Sequence, residues 1–197
     1  MIGWESIWQG LLWEACRRAS PPSRQDELDT SPQARSAASL ILARAAWEGY
    51  LNEFIEWRSL SPDLKNRSCY EGLAGVFTEL GQSLIIVSED TWDQLLLLNT
   101  LRNKVIHHKA DRFKPGSGPH ELLEKLSKLS LVDLPTRPTP WERLALSNRV
   151  AQWACLTVAT AIVQLEAIPT KRTRSLHDVK EAVAEAIRPL KDKEIRQ

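Results

Sequence analysis

Trp92-Asp93-Gln94-Leu95-Leu96-Leu97-Leu98-Asn99-Thr100-Leu101-Arg102-Asn103-Lys104-Val105-Ile106-His107-His108-Lys109 is the stretch on which the reading of this chain turns. A strongly apolar helical run ends in an arginine, an asparagine and a histidine, and Pro115 and Gly116 break the chain soon after. The guanidinium is always charged and matches phosphate oxygens with a planar fork. The imidazole gives or takes a proton near neutral pH. Held together at one helix end, the two are a candidate pair for cleaving a phosphodiester.

Spacing refines that picture. Asn103 and His107 are four apart and share a helix face. Arg102 and His107 are five apart, roughly 140° around the axis, so within one chain they converge only in part. At a two-fold interface two copies can face each other across a groove. Lys104, His108, Lys109, Arg112 and Lys114 add positive charge against Asp111 alone, a local surface that attracts a polyanion. The bland alternative is an arginine pairing with surface acids and a histidine favoured at a helix C-terminus by the macrodipole.

The rest of the chain reads as helices around this stretch. Trp4, Ile7, Trp8, Leu11, Leu12 and Ala15 recur at helical spacing until Ser20-Pro21-Pro22, and residues 20 to 31 read as a loop. Ser31-Pro32 is a helix start, with serine as the cap and proline at the first position. That helix runs to about Arg58, and its run of small residues lets a neighbour approach closely. Within it Arg44 and Glu48, four apart, read as a solvated ion pair, with the two together a minority candidate for lining the site. After a connector containing Pro62, the spacing predicts a helix over 69–83 and a helix end or buried turn at Leu84 to Val87. Ser88-Glu89-Asp90 starts the helix that carries Arg102 and His107, its acids favoured by the positive N-terminal end.

Beyond a basic loop over 111–119, a short helix is predicted for Glu121 to Leu129, followed by a proline-punctuated connector. Thr139-Pro140-Trp141-Glu142 reads as a capping box opening one long apolar helix to about Ala167. Lys171-Arg172-Thr173-Arg174 is a basic linker. Ser175 caps a last helix that stops near Pro189, with a frayed tail beyond. The predicted organisation is a helical domain over 1–170, its core at 32–168, followed by the linker and C-terminal helix over 171–197.

Composition excludes several classes. Of 197 residues, 43 % are apolar and eight are tryptophan, enough for a packed core. Trp4, Trp8, Trp13, Trp92 and Trp153 read as core, whereas Trp47 and Trp57 are candidates for a subunit interface. Twenty-six basic against 25 acidic residues leave no bulk charge to announce a nucleic-acid binder, so only a local patch can do so. Three scattered cysteines with no Cys-x-x-Cys spacing argue against zinc and against a disulfide framework, and suit buried thiols in a reducing cytosol. The N-terminus lacks the basic start and apolar core of a signal peptide. Val150 to Leu165 carries no charge but falls short of the ~20 apolar residues a membrane span needs. No metal-ligand spacing is present on one helix, and no phosphate loop or nucleophile elbow.

The stretch Arg102-Asn103-x3-His107 resembles the Arg-x4-His motif of the HEPN superfamily (higher eukaryotes and prokaryotes nucleotide-binding). The earlier helix Ala43-Arg44-Ala45-Ala46-Trp47-Glu48-Gly49-Tyr50-Leu51 is similar too, and the resemblance extends over residues 32 to 168. It implies an all-α, antiparallel helical bundle, commonly a homodimer with the site at the interface. The implied activity is a metal-independent endoribonuclease in a toxin–antitoxin or anti-phage defence setting. No cofactor is implied; the implied partners are the RNA substrate and an antitoxin or defence protein. His107 is then the general base or acid on the 2′-hydroxyl, Arg102 stabilises the phosphate oxygens, and Asn103 orients the histidine or contacts phosphate. One toxin subgroup carries a tyrosine two positions after the histidine. Lys109 stands there, so an activity tied to that tyrosine is not implied. The alternative from the same resemblance is a non-catalytic protein that binds nucleotide or RNA, or serves as a structural partner.

Overall fold

The computed structural model describes residues 6–21, 31–66, 69–80, 88–107, 121–134, 139–168 and 176–194. Within these, every regular element is helical and no strand is present. In chain order they are α1 (Ile7–Ala19), α2 (Pro32–Trp57), a 3-10 turn (Pro62–Asn66), α3 (Cys69–Glu79), α4 (Glu89–Ile106) and α5 (Glu121–Lys128). Then come α6 (Trp141–Ala145), α7 (Asn148–Glu166), α8 (Leu176–Ala186) and α9 (Arg188–Glu194). The all-α expectation is met. No helix among the described residues is long and apolar enough to cross a membrane.

The longest helix, α2, has 26 residues and so spans ~39 Å. Its start is as expected: Ser31 Oγ accepts from the Ala34 N–H, and Pro32 occupies the first turn. Its end needs a left-handed residue. Leu60 N–H reaches back to the Ile55 carbonyl while Ser59 sits at φ 55°, the position glycine usually takes. Ser59→Gly is therefore expected to stabilise the protein by about 0.5–1 kcal/mol, the left-handed cost of a β-carbon less the entropy glycine gives up. Urea midpoints decide it, and a lower midpoint would contradict the strain.

Helix α2 is stitched to three neighbours by buried arginines. Arg35 Nη2 donates to the Ser20 carbonyl at 2.6 Å, closing the end of α1. Ser39 Oγ donates to the Ala15 carbonyl, and Trp8 packs edge-on against Tyr50 with centroids 5.4 Å apart. Since 8 pairs with 50, 15 with 39 and 20 with 35, α1 and α2 run antiparallel. Against α7 the order reverses: Ser39 meets Cys155 at 3.7 Å, the Tyr50 hydroxyl the Ile162 carbonyl at 3.4 Å, and Arg58 Nη2 the Glu166 carboxylate at 2.7 Å. These two helices run in the same direction, so the bundle is not antiparallel throughout. Arg44 makes the third tie, to α4.

Two boundaries differ from expectation. The long C-terminal helix is two helices, because the chain breaks at Leu146 (φ −97°, ψ 63°) and Ser147 then caps α7 through the Val150 N–H. Pro140, not Thr139, holds the cap position of α6. The second concerns Pro189, which does not end the helical region. It lies in the first turn of α9, where a missing N–H costs nothing, and helix continues to Glu194. Val179, Val183 and Ala186 of α8 are buried, and the Ser20 hydroxyl lies 2.7 Å from the Pro189 carbonyl, so this end packs on the end of α1.

Trp47 is 1 % exposed and stacks near Tyr50, so it belongs to the core and not to an interface; Trp57 is exposed. Trp8 is core, while Trp13, Trp92 and Trp153 are half-buried against it. Trp4, the predicted turn at residues 84–87 and the basic linker over 171–174 lie outside the described residues. Cys16 and Cys155 are free, fully buried thiols, and Cys16 is pushed far above the ordinary thiol range by its hydrogen bond with Cys155 and by burial. Neither is expected to react with iodoacetamide in the native state at pH 8. Peptide mass mapping after a timed pulse checks this, and rapid labelling of either would show the core opening.

Candidate functional site

Helix α4 carries the motif, and its two ends are set by different chemistry. At the start Ser88 Oγ accepts from the Thr91 N–H, with Glu89 and Asp90 in the first turn. Through the middle Leu95, Leu98 and Leu101 recur at three-residue steps and turn one face into the core. Leu97 is buried beside them. Past Leu101 the burial ends: Arg102 and Lys104 are half-exposed, Asn103 and His107 exposed, and Ile106 is 43 % exposed.

Arg102 and Asn103 are brought together. Arg102 Nη1 donates to Asn103 Oδ1 at 2.9 Å. Neighbouring helical residues do not face each other, so the long arginine side chain must curl around the helix to reach it. The amide oxygen of Asn103 is thereby engaged, and its NH2 is the end left for a ligand. His107 is the capping residue of α4 (φ −97°, ψ 27°), its N–H bonded to the Asn103 carbonyl at 2.9 Å. Its ring makes no hydrogen bond among the described residues. The three side chains are accessible at one helix end, with a fork donor, an amide donor and a titratable ring within one turn.

Of the other predicted contacts, His108, Lys109 and Arg112 lie outside the described residues. Lys104 lines a groove of about 770 Å³ between α4 and α5, with Thr100 beside it, a floor including Leu96 and Leu97, and Lys125 and Lys128 from α5. Asp90, Asp93 and Glu121 line the same groove, so acids stand beside the lysines among its described residues. Lys125 bonds Glu121 at 2.7 Å, which with Asp93 raises its ammonium above the usual lysine range.

Glu48 is exposed, but the pair it forms is only half solvated. Its carboxylate takes Arg44 Nη2 at 3.0 Å, with the Arg44 side chain 5 % exposed against 48 % for Glu48. Arg44 Nε donates on to Asn99 Oδ1 of α4 at 3.2 Å. Asn99, Asn103 and His107 stand at successive four-residue steps, so Arg44 grips α4 one turn before the motif. Sequence reasoning paired Arg44 with Glu48 as solvated, and it missed Asn99. The available signal was a lone asparagine inside the leucine run. Among the described residues no three His, Cys, Asp or Glu side chains gather as a metal site requires.

Compared with family models, curated proteins and solved structures, the chain matches none.

Proposed function

We propose that the exposed end of α4 is the cleaving centre of a metal-independent endoribonuclease of the HEPN type, its setting a toxin–antitoxin or anti-phage system in the cytoplasm. The observation that carries this reading is the Arg102–Asn103 contact of 2.9 Å, one turn from an accessible His107. The His107 ring takes the proton of a ribose 2′-hydroxyl, whose oxygen attacks the adjacent phosphorus. The bond to the 5′-oxygen breaks, and that oxygen is protonated by water or by the same ring once charged. The guanidinium of Arg102 and the Asn103 amide hold the charge gathering on the phosphate oxygens. The products are a 2′,3′-cyclic phosphate and a 5′-hydroxyl. A second copy facing the site across a two-fold axis supplies further charge, and an antitoxin or defence partner restrains the activity.

One observation favours the second reading, a non-catalytic HEPN-like protein that binds RNA or nucleotide or serves as a structural partner. No described side chain orients the His107 ring, whereas catalytic histidines are commonly held by a hydrogen bond at the other ring nitrogen. Incubating a mixed-sequence RNA with the protein in EDTA and reading the ends of any fragments separates the two. Cyclic-phosphate ends support the nuclease. Binding without fragments, dependent on Arg102 and Lys104, favours the second reading.

A further inference from the structure

We infer that the cleft where α2, α3 and α4 meet binds a single planar ring through a carbonyl oxygen, a ligand with the chemistry of a uracil-type base. The inference goes beyond the nuclease reading, because no step of the cleavage uses this cleft. Arg44, Trp47, Leu73 and Leu95 form its buried part. Its open part is formed by Trp92, Leu96 and Asn99, which are half-exposed and follow one another at helical spacing along one face of α4.

The polar side chains of the cleft offer hydrogens and little to receive them. The buried Nη1 of Arg44 has no hydrogen-bond partner, although buried donors are nearly always paired. Arg44 Nε donates to Asn99 Oδ1, which leaves the NH2 as the end of that amide still to be matched. The cleft has an accessible volume of about 20 Å³, room for one water or one ligand atom. A water brings two hydrogens, and the amide oxygen of Asn99 is already engaged. A carbonyl oxygen brings none. It also brings no charge, whereas an anion would add a second negative group to an arginine that Glu48 already neutralises at 3.0 Å.

Size and walls fix the rest of the ligand. With the mouth that opens to solvent counted, the cleft spans about 290 Å³. That is the small end of the about 300–1,000 Å³ that ligand sites occupy, so it takes one ring and not a whole nucleotide. Trp47 and Trp92 line it with two indoles, against which a planar ring packs. Such a ring has two sources, a free molecule or an unpaired base of an RNA strand lying along α4.

The test follows the indole and side-chain amide N–H signals of the full chain by two-dimensional NMR, assigned through Trp92→Phe and Asn99→Asp. Uracil should move the Trp92 and Asn99 signals with a Kd on the order of 1 mM, as so small a ligand permits. Benzene, a ring with no carbonyl, should bind at least about tenfold more weakly, because the donors stay unmatched. Asn99→Asp keeps an oxygen for Arg44 and replaces the NH2 with a second acceptor, so uracil should bind it at least about tenfold more weakly. Circular dichroism confirms that this near-isosteric variant keeps the fold. Hexauridylate with 2′-O-methyl groups, which lacks the attacking hydroxyl, separates the sources. If it moves the same two signals at lower concentration than uracil, the ring comes from RNA; if uracil alone moves them, the ligand is a free molecule. Uracil that moves neither signal overturns the inference and leaves the cleft to water. So does benzene that binds as well as uracil, or Asn99→Asp that binds uracil undiminished. Cleavage is not read, so a protein that cuts no RNA leaves the result standing.

Discussion

Glu166→Ala is expected to destabilise the protein by about 3–5 kcal/mol, the largest effect of any single substitution considered for this fold. Arg58 and Glu166 are joined at 2.7 Å with side chains 1 % and 2 % exposed, and the Arg58 guanidinium also lies 4.9 Å from the centre of the Phe54 ring. Removing the carboxylate takes away the charge partner that a guanidinium held out of water meets at 2.7 Å. The same physics gives a second, opposite expectation. Replacing both partners together, as Arg58→Met with Glu166→Leu, removes the desolvation cost along with the attraction, so the double variant should be near wild type or more stable by about 1–4 kcal/mol. Urea unfolding followed by tryptophan fluorescence measures both, provided the m value is unchanged. A Glu166→Ala cost below about 1 kcal/mol would mean water reaches the pair and this end of the bundle is looser than the geometry says.

That pair shows where sequence reading stops. Helix starts were legible wherever a serine stood before proline or acids, as at Ser31 and Ser88, because capping is local chemistry between residues two or three apart. The break between α6 and α7 was not. Thr139-Pro140 and Ser147 are both valid starts, and the apolar pattern runs through Leu146 without interruption, so only tertiary packing chooses between them. Pro189 misled for a related reason: proline ends one helix or begins another with the same local preference. Arginines 35, 44 and 58 read as solvated on any composition argument, yet each is buried on a different contact: a backbone carbonyl of α1, an asparagine of α4 and a glutamate of α7. Their partners are 15, 55 and 108 residues away in sequence, and nothing local marks them.

The candidate site was legible to the same degree. That Asn103 and His107 share a face follows from helical spacing, and both are exposed at the end of α4. The contact between Arg102 and Asn103 does not follow, since adjacent residues diverge and the bond depends on the flexible arginine stem. It changes the role open to Asn103. With its amide oxygen engaged by Arg102, the side chain offers a phosphate its NH2 and holds the guanidinium, in place of orienting the histidine ring.

On the nuclease reading, His107→Ala should lower the cleavage rate about 10²–10⁴-fold, the span a positioned acid–base group contributes. Arg102→Ala should cost about 10²–10³-fold, as for removal of one donor to a developing oxyanion. Both side chains stand in water or at its edge, so neither substitution should move thermal stability by more than about 0.5 kcal/mol. The two losses should not add, because a base without its oxyanion donor and a donor without its base each leave the same stalled phosphate. Arg102→Lys is the sharper variant. It keeps the charge but replaces the planar fork with a point donor, so a drop close to that of alanine would show that geometry matters more than charge. Asn103→Ala should fall between wild type and Arg102→Ala, by releasing the guanidinium it holds at 2.9 Å. Rates on one RNA, at matched fold and oligomeric state and in EDTA, decide the matter. If wild type cuts and His107→Ala cuts equally well, the chemistry lies elsewhere in the chain and the assignment of α4 is wrong. If wild type binds RNA without cutting it, the accessible, unoriented His107 ring belongs to a binding surface.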